Sequence, residues 1–138
     1  MRGLVACLVL AALTINTATA ANPGKFNHVQ SMVAWGHMNL ITTNIQLQSG
    51  DAVPNDDKAL AELKEEFPQA LAQTHGHPEL TAALKDYYAA SRSLFGNLDP
   101  QAGETKLVYS ARISMLETKV KEADSRIQVE LASLGVTD

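Results

Sequence analysis

Residues 78–96 read PELTAALKDYYAASRSLFG, a stretch that begins with proline and ends with glycine. Proline is favoured in the first turn of a helix, where its missing N–H would have no partner. Glycine is favoured just past the last turn, where the backbone becomes left-handed. Apolar and small residues recur between them at helical spacing, and they form one stripe: Leu80, Leu84, Tyr87, Ser91 and Leu94. The stretch therefore predicts an amphipathic helix with one buried face.

The same punctuation bounds three other helix-length stretches, Pro23–Gly50, Pro54–Gly76 and Pro100–Gly135. The links between the four stretches are short, which makes successive helices antiparallel. No strand-like alternation extends beyond a few residues. The sequence predicts an all-α protein, an up-down four-helix bundle.

Pro68 is the one proline inside a stretch. It removes a backbone donor and clashes with the preceding turn of a helix. We expect the second helix to be kinked near Glu66 and Phe67, or broken there into two short helices.

The C-terminal stretch has the most regular apolar pattern. Its heptad a and d positions carry Tyr109, Ile113, Leu116, Val120, Ala123, Ile127 and Leu134. This pattern predicts a long C-terminal helix with coiled-coil character. Two acid–base pairs at i,i+4, Glu117–Lys121 and Glu122–Arg126, are expected on a charged, solvated outer face.

The first twenty residues have the features of a signal peptide. Arg2 precedes an apolar run from Leu4 to Leu13, and Ala18-Thr19-Ala20 supplies small residues at a cleavage site. We expect a signal peptide at 1–20, a single helical domain at 21–138, no stable membrane anchor after cleavage, and a periplasmic or secreted location. Cys7, the only cysteine, lies in the predicted signal peptide, so the processed chain would form no disulfide.

The charge balance is acidic. The full chain has a net charge of −4, and loss of Arg2 would change it to −5. Nucleic-acid binding requires basic patches that meet phosphates, so nucleic acid is not an expected partner.

Motifs that carry chemistry are missing from the sequence. It has no phosphate-binding glycine loop, no nucleophile elbow, no Cys-x-x-Cys-His and no Glu-x-x-His. His75 and His77 are two imidazoles in a predicted loop, too few ligands for a strong metal site, and helix termination at Gly76 accounts for this segment. We predict a protein that is not an enzyme, with no cofactor and no metal site. A hydrolase with a dispersed site is the alternative left open.

The first stretch contains no Lys, Arg, Asp or Glu between Lys25 and Asp51. A surface helix usually carries charge on its outer side, so we expect this helix to be covered on more than one side. Its main apolar face comprises Phe26, Val29, Val33, Gly36, Leu40 and Leu47, with Thr43 in the same stripe.

A second face of this helix contains the only tryptophan. Trp35 projects nearly opposite the main apolar face, together with His28, Met32 and Asn39. Three interpretations are open: this face packs inside the bundle; Trp35 anchors a protein interface, where tryptophan is enriched; or His28 and Met32 bind a soft metal. We predict a partner-binding site at His28, Met32, Trp35 and Asn39.

These observations predict an exported, non-enzymatic helical bundle that acts by protein–protein interaction, as an inhibitor, adaptor or chaperone would. Its partner is an unknown protein or a second copy of itself. The alternative is a small-ligand or metal-binding helical bundle of the cell envelope.

Overall fold

Four α-helices make up the computed structural model, which describes residues 24–50 and 53–136, and no β-strand occurs in these ranges. The helices are α1 (Asn27–Gln48), α2 (Asp57–Gln73), α3 (Pro78–Phe95) and α4 (Lys106–Ser133). The predicted all-α four-helix bundle is confirmed. The predicted signal peptide and Pro23, the expected start of the first helix, lie outside the described residues.

The predicted punctuation is followed only in part: α3 begins at Pro78, whereas α1, α2 and α4 begin three or more residues after Pro23, Pro54 and Pro100. Left-handed glycines follow α1, α2 and α4, at Gly50, Gly76 and Gly135 (φ 81°, 83° and 81°). Gly96, after α3, keeps a right-handed conformation with φ −87°. The last helix begins well after Pro100, because the side chain of Thr105 accepts a hydrogen bond from the backbone N–H of Val108 (3.2 Å) and caps α4 there.

The second helix continues through Pro68 as one element of 17 residues, so the expected division into two helices does not occur. Proline costs one backbone hydrogen bond and local crowding, and tertiary contacts can offset that loss. The ring of Phe67 stacks on Tyr88 of α3, with centroids 3.9 Å apart and planes inclined by 7°. The predicted kink and the predicted coiled-coil character of α4 stay predictions.

The core lies between the apolar stripes of all four helices. The whole predicted stripe of α3 is buried, and α4 buries Ile113, Val120, Ala123, Ile127 and Leu131 against the same core. The most extensive helix pair is α3 with α4, followed by α1 with α2. In both pairs, the side-chain contacts show that the two helices are antiparallel, as in an up-down bundle. Among the described helices, none has the length and apolar composition to cross a membrane.

The first helix packs mainly against α2, and two close contacts join it to α3. Its Gly36 lies directly against Tyr87 of α3, and its Trp35 packs edge-on to Phe95, with ring centroids 5.7 Å apart. Approach to α4 is looser than in the three principal helix pairs, although His37 binds Asp124 of α4. This looser seam leaves a groove between α1 and α4.

Candidate functional site

Three of the four residues of the predicted site, His28, Met32 and Trp35, lie on the side of α1 that meets α2. The Nδ1 atom of His28 is 2.6 Å from a carboxylate oxygen of Glu66, and Met32 is only 1% exposed. Trp35 donates from Nε1 to Glu62 (2.6 Å). The amide of Asn39 donates to the carbonyl of Trp35 one turn earlier (2.9 Å).

This side of α1 and the facing side of α2 border a shallow cleft of about 300 Å³, lined by Met32, Trp35, Leu63 and the two glutamates that bind His28 and Trp35. The polar atoms of His28 and Trp35 are paired within the chain, as in the packing interpretation. The role of these residues in partner binding stays a prediction.

Metal-binding geometry is not found in the described part of the chain. No group of three or more His, Cys, Asp or Glu side chains in residues 24–50 and 53–136 could hold a metal ion. The ring of His77 packs edge-on to Phe26, with centroids 5.6 Å apart. His77 therefore contributes to the packing at the start of α3.

A different face of α1 carries exposed apolar side chains. Met38, Ile41 and Ile45 are 38%, 46% and 58% exposed, and their i, i+3, i+7 spacing places them in one row on the helix. We call these three residues the α1 strip. The α1 strip was not predicted from the sequence, because its residues belong neither to the main apolar face of α1 nor to the face that contains Trp35. The available signal was the absence of charge along the whole helix.

Beside the strip lies the α1/α4 groove, about 460 Å³ in volume. Its principal lining residues are Asn44, Leu47 and Gln48 of α1, and Tyr109, Ile113 and Glu117 of α4. Ser110 and Ser114 also line it. Such short side chains cannot fill the space between two helices.

Glu117 is the unusual residue of this groove. It is 9% exposed, and it forms no hydrogen bond or ion pair with any described residue; the predicted pair with Lys121 does not form. Position 117 faces the α1/α4 groove rather than the solvated outer face that we expected. The other predicted pair is also replaced, since Arg126 binds Asp86 of α3.

The first turns of α4, which form one side of the groove, are held in place by a cluster of polar contacts. Arg112 donates from Nε to Glu104 (2.7 Å) and from Nη1 to the carbonyl of Asn97 (2.5 Å). Tyr109 donates from its hydroxyl to the carbonyl of Leu98 (2.6 Å). These bonds connect α4 to the loop that precedes it and fix the position of the Tyr109 side chain.

This cluster also shifts two pKa values. The hydrogen bonds from Arg112 and from the backbone of Gln101 lower the pKa of Glu104 to about 2. Partial burial raises the pKa of Tyr109 above its ordinary value. At neutral pH Glu104 is therefore a carboxylate and Tyr109 is a neutral phenol.

In the centre of the bundle, two hydroxyls are buried without a hydrogen-bond partner of acceptable geometry, those of Tyr87 and Ser91. Burial raises the pKa of Tyr87, the nearby charge of Asp124 adds to this effect, and Ser91 opposes it. Both groups are enclosed in the core of the bundle.

No protein-family model matches this chain, and neither a curated protein nor a solved structure shows significant similarity to it.

Proposed function

We propose that this protein is an exported, non-enzymatic helical bundle that acts by binding another protein, and that the α1 strip and the adjoining α1/α4 groove form the docking surface. The observation that carries the proposal is the row of three exposed apolar side chains on a helix without charged residues. Export and the lack of enzymatic activity rest on the sequence alone.

Single exposed apolar residues are ordinary in folded proteins, but a contiguous apolar area with polar borders is typical of interaction sites. The α1 strip is such an area, because Thr42, Gln46 and Gln48 beside it are neutral and exposed. Interface cores are likewise depleted of charged residues. Complete burial of three partly exposed side chains would contribute on the order of 2–4 kcal/mol to binding.

The shape of this surface suits a helical partner. Ile45 lies seven positions after Met38, which corresponds to about 10 Å along α1. An amphipathic helix laid beside α1 would place its own apolar residues at i, i+3 or i+4, and i+7 over this distance. The groove gives such a helix a second wall, formed by α4.

A photo-crosslinking residue in place of Ile41 tests the proposal. We expect it to crosslink to a defined partner in an extract of the host's cell envelope. Val129, an exposed apolar residue of α4 outside the groove (65% exposed), is the matched control position. Equal crosslinking from both positions would contradict the proposal. Partner capture that is lost with Trp35→Ala but unaffected by Ile41→Ser would assign the site to the α2-facing side of α1.

A further inference from the structure

We infer that the occupant of the α1/α4 groove is a cationic amphipathic helical segment of another protein, with a Lys or Arg side chain that pairs with Glu117. This inference rests on the proposed function and names the chemistry of the partner. Its central observation is a glutamate that is nine-tenths buried, lines an open groove, and has no partner among the described residues.

A carboxylate removed from water is unfavourable unless a donor or a cation compensates it. The carboxylate oxygens of Glu117 are open to the groove and are not among the fully buried unpaired polar atoms; no group in residues 24–50 and 53–136 pairs with them, whereas the acids beside His28, Trp35 and Arg112 are all paired. A cation brought by a partner would pair with Glu117 and exclude the remaining water. The apolar contacts would then supply affinity, and the ion pair would select the partner.

The neighbours of Glu117 leave room for a long cationic side chain. Asn44 of α1 lines the same groove, Ser114 lies three positions before Glu117 on α4, and both are small neutral groups. Among the residues that the structure describes, Lys106 is the only other charged residue that lines the groove. Lys106 is eleven positions before Glu117, about 16 Å along α4. A cation at Glu117 would therefore avoid most of the repulsion from Lys106.

Charge also favours a foreign partner over a second copy of this chain. The first helix of a second copy carries no Lys or Arg, so α1 packed against α1 would leave both copies of Glu117 unpaired. The net charge of −4 would repel that copy and attract a basic segment.

The test uses the purified protein and two fluorescein-labelled synthetic helices of eighteen residues. One has a leucine face and a lysine face; the matched peptide has glutamate in place of every lysine. By fluorescence anisotropy we expect the lysine peptide to bind and the glutamate peptide to bind at least tenfold more weakly. Glu117→Gln should weaken binding of the lysine peptide at least tenfold. Glu122→Gln removes the same charge from an exposed site on α4, so it should change binding less than twofold.

The variants separate failure of this inference from failure of the proposed function. Equal effects of Glu117→Gln and Glu122→Gln, or equal binding of the two peptides, would overturn the inference; the docking surface would still stand if Ile41→Ser weakened binding. If neither peptide bound, the inference would also be overturned. If Ile41→Ser and Glu117→Gln both left binding unchanged, the inference would fall, and the docking surface would lose its support.

A dimer seen by light scattering and abolished by Glu117→Gln would identify a second copy as the occupant and overturn the assignment to a foreign partner. Circular dichroism of each variant checks that the fold is retained.

Discussion

The hydroxyl of Tyr87 lies where a side chain on Gly36 would have to be. An ideal Cβ built at position 36 would come within 1.6 Å of Oη and 2.9 Å of Cζ of that tyrosine. The contact joins α1 to α3, and the absence of a side chain at Gly36 permits it. The approach of α1 to α3 therefore depends on one glycine, and this approach contributes to the position of α1 relative to α4.

Gly36→Ala should destabilise the protein. The added methyl group must displace Tyr87 or the helix, which costs about 1–3 kcal/mol. The better helix propensity of alanine offsets up to about 1 kcal/mol of that cost. Urea unfolding should show a lower free energy of unfolding. In a Tyr87→Phe background the penalty should shrink, because the atom that would lie 1.6 Å away is absent; an equal penalty in both backgrounds would refute this explanation.

Tyr87→Phe should change the alkaline stability of the protein. Burial raises the folded-state pKa of Tyr87 above the unfolded value near 10. Its contribution to stability is therefore complete below pH 10 and is lost as the pH rises from there toward the folded-state pKa. The phenylalanine variant should lose less stability between pH 9 and 11.5 in urea titrations, with a remaining slope from Tyr109, whose pKa is also raised.

At neutral pH the same Tyr87→Phe variant should be as stable as the wild type or slightly more stable, because the hydroxyl that it removes is buried and makes no hydrogen bond. A marked loss of stability at pH 7 would indicate that a bound water or another group satisfies this hydroxyl.

Glu104→Gln should alter the acid limb of the stability profile. Arg112 lowers the folded-state pKa of Glu104 from 4.5 to about 2. The contribution of Glu104 is therefore present above pH 4.5 and disappears as the pH falls toward 2. Thermal unfolding between pH 2 and 6 should show a shallower pH dependence in Glu104→Gln than in Glu122→Gln, where the carboxylate is exposed. Parallel profiles would contradict this assignment.

Gln73→Ala should destabilise the start of α1. The Oε1 atom of Gln73, at the end of α2, accepts hydrogen bonds from the backbone N–H groups of His28 (2.9 Å) and Val29 (3.2 Å). Loss of a cap typically costs about 1 kcal/mol. Hydrogen exchange should accelerate at these two amides, whereas the exposed Gln69→Ala variant should leave them unchanged.

Local periodicity accounts for what the sequence could predict. The stripes of α1 and α3 were predicted because helical spacing alone selects one face, and those faces are buried. The Gln73 cap was not predictable, since it joins residues about 45 positions apart. Continuity of α2 through Pro68 likewise depends on tertiary contacts. The sequence around Glu117 suggested an i,i+4 pair with Lys121. Glu117 lines a groove because α1 and α4 are separated there, and local sequence does not specify this separation.

Glu117→Leu should raise the stability of the protein while it reduces binding. Leucine has a similar volume and adds apolar contacts at a site that is 9% exposed, which should increase the free energy of unfolding by about 1 kcal/mol. Residues retained for function at the expense of stability show this combination. Glu122→Leu, at an exposed position of the same helix, should give no gain. Urea unfolding of both variants, with anisotropy measurements on the lysine peptide, tests the two effects together. If Glu117→Leu lowered the free energy of unfolding, Glu117 would have a stabilising partner within the folded chain. The groove would then contain no unpaired charge, and a cationic segment would have no particular reason to bind there.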